Sequence, residues 1–457
     1  MTAPTIVWLR QDLRLFDQAA FAAAAAEGPV VPLYVLDDES PGAWSIGAAQ
    51  RWWLHRSLAA LAADLATKGT TLIMRRGRAA DKVAQLAVEI GATRVHALAH
   101  YEPWWQAAEQ SLAQRCDLTL HDGLLLASPR EIRTGQGGRY RIFTPFWRAL
   151  LDRMPPGPPQ PAPDQIEGVA TSVGSDRLED WRLLPTSPDW ARGFEGWTPG
   201  EAGGLKRVEA LAERTATYDR DRNLPSLDGS SRLSPHLHFG EVSPAAVWHA
   251  ARAADGDATP FLREIGWRDF TANMIDQIPT LGDANGRSAY DRMPWRSGDD
   301  AERDFAAWTR GRTGYPIVDA GMRELWATGW MHNRVRMLAA SFLVKHLLID
   351  WRRGARWFWD TLIDADYGNN SVNWQWIAGT GLDSNPFGRI MAPLSQSVKF
   401  DAADYIRHWL PELAELSDAD IHDPHAAGCR LRDYPAPLIG HREARERALE
   451  AAGAAMA

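Results

Sequence analysis

The sequence predicts a doubly wound α/β domain followed by an all-α domain. Three observations carry that reading. Short apolar runs alternate with helical patterns through the first 125 residues, a proline-dense stretch then interrupts the chain, and beyond about residue 200 the apolar spacing is helical almost throughout. At 457 residues the chain also exceeds the ordinary single-domain size.

In order, the strand candidates are "TIVWLR" (5–10), "VVPLYVL" (30–36), "TLIMRR" (71–76), "RVHALAH" (94–100) and "DLTLHDG" (117–123). The stretches between them are Ala-rich or amphipathic and end near Gly28, Gly69 and Gly91, where helix C-terminal glycines belong. "RQDLRLFD" (10–17) occupies the turn after the first strand, so no glycine-rich phosphate loop sits there and an ordinary dinucleotide site at that point is not expected. "MPPGPPQPAPD" (154–164) holds six prolines and can be neither regular helix nor central strand. The helical half contains "FLREIGWRDFTANMI", "YPIVDAGMRELWATG", "MHNRVRMLAASFLVKHLLIDW" and "RRGARWFWDTLI". The division expected is 1–127 for the α/β domain, 128–199 for a connector and 200–457 for the helical domain.

Composition narrows the function classes. Two cysteines, Cys116 and Cys429, supply neither a disulfide framework nor a metal-ligand spacing, which fits a reducing compartment. The N-terminus lacks the pattern of a leader and no apolar run reaches membrane-spanning length, so a cytoplasmic protein with no membrane or metal partner is expected. A net charge of −8 argues against nonspecific coating of nucleic acid but leaves room for a local basic face. The outlier is tryptophan: 22 residues, crowded between Trp295 and Trp409, more than core packing ordinarily needs.

Four stretches concentrate polar groups beside aromatics. In "DADYGNNSVNWQW" (364–376), Asp364 and Asp366 end one helical pattern and Gly-Asn-Asn favours a turn, while Trp374 and Trp376, two apart on a helix, point in different directions. In "WMHNRVRM" (330–337), Asn333 and Met337 share a helical face and Arg336 can pair a carboxylate such as Asp364. In "EIGWRDF", Glu264, Trp267 and Arg268 share a surface at i, i+3 and i+4. In "DGSSRLSPHLHFGEVSP" (228–244), Ser230, Ser231 and Ser234 cluster where a turn enters a helix, a place that could hold a pyrophosphate. Singly, Trp267, Trp376 and Met337 suit a core, and Arg336 with Asp364 suits a structural ion pair. His332 and His238 belong to no ligand-like cluster. The case for a site rests on finding all four stretches in one helical domain.

Together with "WLRQDLRLFD" (8–17) and "GRTGYPIVDAGMREL" running on to "ATGWMHNR", these stretches resemble the DNA photolyase and cryptochrome family, in pattern the bacterial class I cyclobutane pyrimidine dimer photolyases, over nearly the whole chain. The resemblance implies FAD in a folded conformation in the helical domain. Tyr218, Ser230, Ser231, Leu233 and Ser234 would lie along its ribityl and pyrophosphate part, and Arg336, Asp364, Asp366 and Asn370 along its ring, with Trp267, Arg268 and Asn333 also in reach. Asn370 would face flavin N5. As an amide it cannot readily supply a proton, which favours an anionic reduced flavin and repair over the signalling of plant cryptochromes, which carry Asp there.

Asn333 and Met337 match the cyclobutane-dimer pattern and lack the histidine pair of (6-4) photolyases. The resemblance places Trp267 and Trp376 against a flipped dimer, Glu264 on a pyrimidine edge, and Arg222 and Arg334 near its backbone. Arg389, Lys399, Arg352, Arg353 and Arg356 are further candidates for DNA contact. Trp374, Trp351 and Trp295 would form the electron-transfer chain, although the segment around Trp295 aligns only with a length difference. The expected activity is that of a deoxyribodipyrimidine photo-lyase acting on UV-damaged DNA as a monomer, with a cryptochrome-type photoreceptor or a (6-4) or dual-specificity photolyase as alternatives. Folate-binding relatives show Asn-Glu where this chain has Trp104 and Trp105, so an antenna pigment is expected to be a deazaflavin, another flavin or none rather than folate.

Overall fold

The computed structural model describes residues 3–169, 173–384, 387–429 and 432–456. Five parallel strands, β1 Thr5–Leu9, β2 Val30–Leu36, β3 Ile73–Arg76, β4 Arg94–Leu98 and β5 Asp117–His121, form one sheet in the order β3-β2-β1-β4-β5. Val7 sits opposite Pro32 on one side and His96 on the other. Each expected strand is present, the third two residues shorter at its start. Helices α1 Ala19–Glu27, α2 Ala48–Lys68, α3 Ala79–Ile90 and α4 Pro103–Ala113 connect them, and Gly69 and Gly91 close α2 and α3 in the left-handed conformation. β1 and β2 are buried at every residue because helices cover both faces, as their unbroken apolar sequences require.

Helix α5, Phe143–Leu151, lies within the stretch read as connector and packs on the helical half. The rest of that half runs α6 Glu201–Glu209, α7 Leu211–Arg214, α8 Tyr218–Asp221, α9 Ser234–His238, α10 Pro244–Ala253, α11 Thr259–Gln277 and α12 Asp299–Thr309. It continues with α13 Pro316–Thr328, α14 Asn333–Ser341, α15 Trp351–Thr361, α16 Tyr367–Ala378, α17 Pro393–Lys399, α18 Ala403–Trp409 and α19 His441–Met456. The run from Met331 to Trp351, read as one helical pattern, is divided. A π-helical turn, Phe342–His346, follows α14, Leu348 takes a positive φ of 52°, and Asp350 caps α15. Every residue from Leu338 to Ile349 is buried, so no exposed position marks the break. Among the described residues no helix is long and apolar enough to cross a membrane.

The turn after β1 docks the two halves. The Leu13 amide donates to Phe239 O at 3.0 Å, Arg14 donates to Gly240 O and Gly123 O at 2.9 Å, and the amides of Leu15 and Phe16 donate to the Glu201 carboxylate. Gly240 has φ +62°, and a Cβ there would meet Gln11 O at 2.2 Å, so only glycine allows this approach. The position where a phosphate loop would sit is therefore used as an interdomain clasp.

Candidate functional site

Three of the four polar stretches meet at the junction of α9, α14 and the start of α16. Arg336 donates both guanidinium nitrogens to Asp364, at 3.0 and 2.9 Å, and Ser234 Oγ donates to the same carboxylate at 2.6 Å. Asp364 is buried, and three charge-assisted bonds supply the solvation it has lost. Asp366 caps α16 by accepting from the Asn369 amide at 2.7 Å. The Gly-Asn-Asn that follows lies inside the first turn of α16 rather than in a loop, because the cap satisfies the amide that would otherwise favour a turn. Asn370 Nδ2 donates to Ala355 O at 3.1 Å, which commits the nitrogen end of the amide to α15 and leaves its oxygen without a donor among the described residues. Ser231 Oγ accepts weakly from the Leu233 amide at 3.4 Å, and Ser230 O accepts from Arg214.

A cavity between the domains brings Arg268 and Asp366 together with Gln11, Tyr101, Glu102 and His238. Arg268 donates to Leu237 O at 3.0 Å and to Leu124 O. Burial pushes the His238 imidazole below its ordinary range despite nearby Asp366 and Asp364, so it stays neutral there. Gln11 and Glu102 were not among the candidates. They follow the first and fourth strands, at the carboxyl edge where doubly wound sheets bind ligands, and that position was the available signal.

On the outer side, Glu264 pairs Arg222 at 2.5 Å, and the Arg222 guanidinium lies 5.4 Å from the Tyr218 ring centre. Arg334 donates to Asn223 and approaches Met337 Sδ at 3.9 Å. Burial, and then the neighbouring cations Arg222 and Arg389, lower the Arg334 pKa. Arg222, Arg334 and Arg389 therefore share one electrostatic neighbourhood, with Glu264 and Asp219 as its counter-charges. Asn333, the first residue of α14, is exposed. Glu264, Trp267 and Arg268 lie within one helix, α11, and each has a different partner. Glu264 turns to Arg222, Arg268 to the interdomain carbonyls, and Trp267 stacks on Phe143 at 3.8 Å and 9°. A helix neighbour from α5, far off in sequence, decided this.

Trp374 is buried, with Trp308 edge-on at 6.4 Å and Phe358 at 5.0 Å. A Cβ on Gly354 would come within 2.2 Å of its ring, so α15 needs glycine to receive it. Trp351 is buried and donates to Asn285 at 3.0 Å, while Trp295 is half-buried near Tyr290 and Met293. Trp308 was not singled out, since a lone indole in an amphipathic helix carries no distinguishing spacing. Trp376 lines a small cavity with Lys345 and Arg389, and Lys399 stands exposed at the end of α17. Arg352, Arg353 and Arg356 lie elsewhere. They pair with Asp350, Glu302 and Asp283, on the face of α15 that meets α12 and the Trp44 region.

This arrangement can be set beside known proteins. Residues 5–164 match the family described as DNA photolyase, and residues 261–454 match the FAD binding domain of DNA photolyase. The chain is 45% identical to the deoxyribodipyrimidine photo-lyase of Agrobacterium fabrum (strain C58 / ATCC 33970), with 98% of each chain covered. It is 36% identical to Cryptochrome-1 of Arabidopsis thaliana, covering 98% of this chain and 70% of that one. The crystal structure of a bacterial class III photolyase from Agrobacterium tumefaciens superposes with a TM-score of 0.93 at 45% identity, over 100% of this chain and 98% of the other. That likeness gives no support to the expected class I pattern. Photo-lyases and cryptochromes alike align with this chain over nearly its whole length, so the motifs behind that expectation do not separate the classes. An α/β domain with a five-stranded parallel sheet, a helical domain matching an FAD-binding domain and near full-length likeness to these relatives establish that the chain belongs to the DNA photolyase and cryptochrome family.

Proposed function

We propose that this protein is a light-driven deoxyribodipyrimidine photo-lyase that splits cyclobutane pyrimidine dimers in DNA. The observation that carries the reading is the joining of the polar Arg336–Asp364–Ser234 junction to an outer cationic face of Arg222, Arg334 and Arg389 through one short helix, α14. FAD, when bound and reduced, would supply the light-driven one-electron chemistry that opening the dimer ring needs. The residues fit such a group. Ser230, Ser231, Ser234, Leu233 and Tyr218 would run along its phosphate and ribityl part, and Arg336, Asp364, Asp366 and Asn370 along its ring, with Arg268 and Trp267 at the margins.

Asn370 has a defined part in this reading. With its nitrogen held by Ala355 O, its oxygen is the end left to accept an N–H, and an amide there leaves the flavin ring without a ready proton donor. Arg336 brings positive charge into the same junction, which suits an anionic ring. Glu264 is expected on a pyrimidine edge, Trp376 and the free face of Trp267 against the flipped dimer, and Asn333 and Met337 along its approach. Base flipping costs a few kcal/mol and stacking returns about 1 to 3 kcal/mol per base. Trp374, Trp351 and Trp295 are proposed to carry electrons inward.

A second chromophore would have to lie away from Trp104 and Trp105. Trp104 packs edge-on to Tyr367 at 5.0 Å and Trp105 edge-on to Trp8 at 6.2 Å, which fills that region with indole. A surface recess between Trp52 and Trp197, with Arg56 and with His55, whose Nδ1 has no partner among the described residues, offers the flat apolar walls and polar groups that a planar anionic pigment needs.

The test is anaerobic illumination of the reduced, FAD-loaded protein with an oligonucleotide carrying one thymine cyclobutane dimer. Light-dependent recovery of thymine absorbance over a dark control is expected. No recovery with FAD bound and reduced would overturn the reading in favour of a photoreceptor or (6-4) activity.

A further inference from the structure

Lys345 is a buried lysine with no carboxylate partner among the described residues. It is 1% exposed, within the π-helical turn that follows α14. Its Nζ donates to Ala378 O at 2.8 Å, lies 3.5 Å from Phe387 O and stands 3.1 Å from the centre of the Phe387 ring. Ala378 is the last residue of α16, where carbonyls lack intrahelical partners and the helix dipole is negative. The second carbonyl and the ring belong to the segment that carries Arg389. Every group on the ammonium is thus an acceptor of positive charge, and together they bridge two parts of the chain that local sequence does not join. Burial lowers the pKa of this lysine well below its ordinary value, and the two carbonyls and the aromatic face are what favour the charged form.

Both tied segments border one small cavity, where Trp376 and Ile377 come from α16, Phe387, Arg389 and Met391 from the following segment, and Lys345 itself lies between them. Arg389 is exposed and acts electrostatically on Arg334, so the segment's position sets whether Arg389 joins the cationic face.

We propose that Lys345 is a positioning residue for DNA binding, which fixes the segment Phe387–Met391, and with it the Arg389 guanidinium, against the end of α16 that bears Trp376. The proposal rests on the reading that Arg389 meets the DNA backbone. The ligand class is an anionic phosphodiester, and Lys345 acts on it only through Arg389.

The experiment measures the affinity of FAD-loaded protein for the dimer-containing oligonucleotide as a function of salt, in wild type, Arg389→Ala, Lys345→Met and the double variant. Loss of one phosphate contact lowers the slope of log affinity against log salt by about 0.9. Arg389→Ala and Lys345→Met are each expected to lose about that much slope, the double variant no more than either alone, and Lys345→Arg is expected to recover it. A fall in stability alone does not move this slope. A wild-type slope in Lys345→Met while Arg389→Ala loses slope, or additive losses in the double variant, overturns the role of Lys345. A wild-type slope in Arg389→Ala overturns instead the reading on which it rests. Should Lys345→Met fail to load FAD, Phe387→Leu decides: part of the slope is lost if the tie operates, and none is lost if it does not.

Discussion

Glu264 shows what one side chain does in this site. Its carboxylate holds Arg222 at 2.5 Å and so keeps a cation of the outer face in a fixed place. Substituting alanine removes one negative charge together with the acceptor proposed to face the lesion, and the two effects separate on different ligands. A hydrogen bond to a charged group contributes about 1.5–3 kcal/mol. Glu264→Ala is therefore expected to cut the preference for dimer-containing over undamaged oligonucleotide by about tenfold or more. Affinity for undamaged DNA should hold or rise slightly, since Arg222 loses its partner. Paired binding titrations at fixed salt check this, and equal weakening on both ligands would remove Glu264 from lesion recognition.

At the level of elements, α11 and α16 organise the centre, and each begins or is held by a carboxylate. Asp366 caps α16. Asp269, buried in α11, accepts the amides of Leu126 and Ala127 at 2.9 and 3.2 Å, which fixes the chain leaving the α/β domain. Its second oxygen has no partner among the described residues, and burial raises its pKa to about 7. The folded state thus holds a proton that the unfolded chain releases near pH 4, and the stability this confers is complete below about pH 4 and lost as pH rises toward 7. Asp269→Asn keeps the acceptor oxygen and cannot ionise. In thermal unfolding, the stability of the wild type relative to this variant is expected to fall between about pH 4 and 7 and to level off above that. Parallel pH profiles would show that Asp269 does not titrate in that window.

Over the whole molecule, a chain of net charge −8 must bind a polyanion through one focused face. Arg222, Arg334, Arg389 and Lys399 are the candidates that remain once Arg352, Arg353 and Arg356 are placed on the face of α15 that meets α12 and the Trp44 region. If all four meet phosphates, the slope of log affinity against log salt is expected to lie near −3 to −4 for duplex DNA, at about −0.9 per contact. Titrations from low to moderate salt measure it, and a slope shallower than −1 would mean that this face is not the interface.

The sequence by itself determined the order of the five strands along the chain, the helical character of the second half and the residue types of the polar junction, because these depend on periodicity and on local chemistry such as the pairing of Arg336 with Asp364. Tertiary structure alone decided the rest. It turned "RQDLRLFD" into an interdomain clasp, put Phe143 on one face of Trp267, broke the run after α14 with a π-helical turn, drew Gln11 and Glu102 to the interdomain cavity and set Trp308 beside Trp374. Each of these is a contact between segments far apart in the chain. Local spacing shows which face of an element is apolar or charged, and only the packed fold shows which distant group meets it.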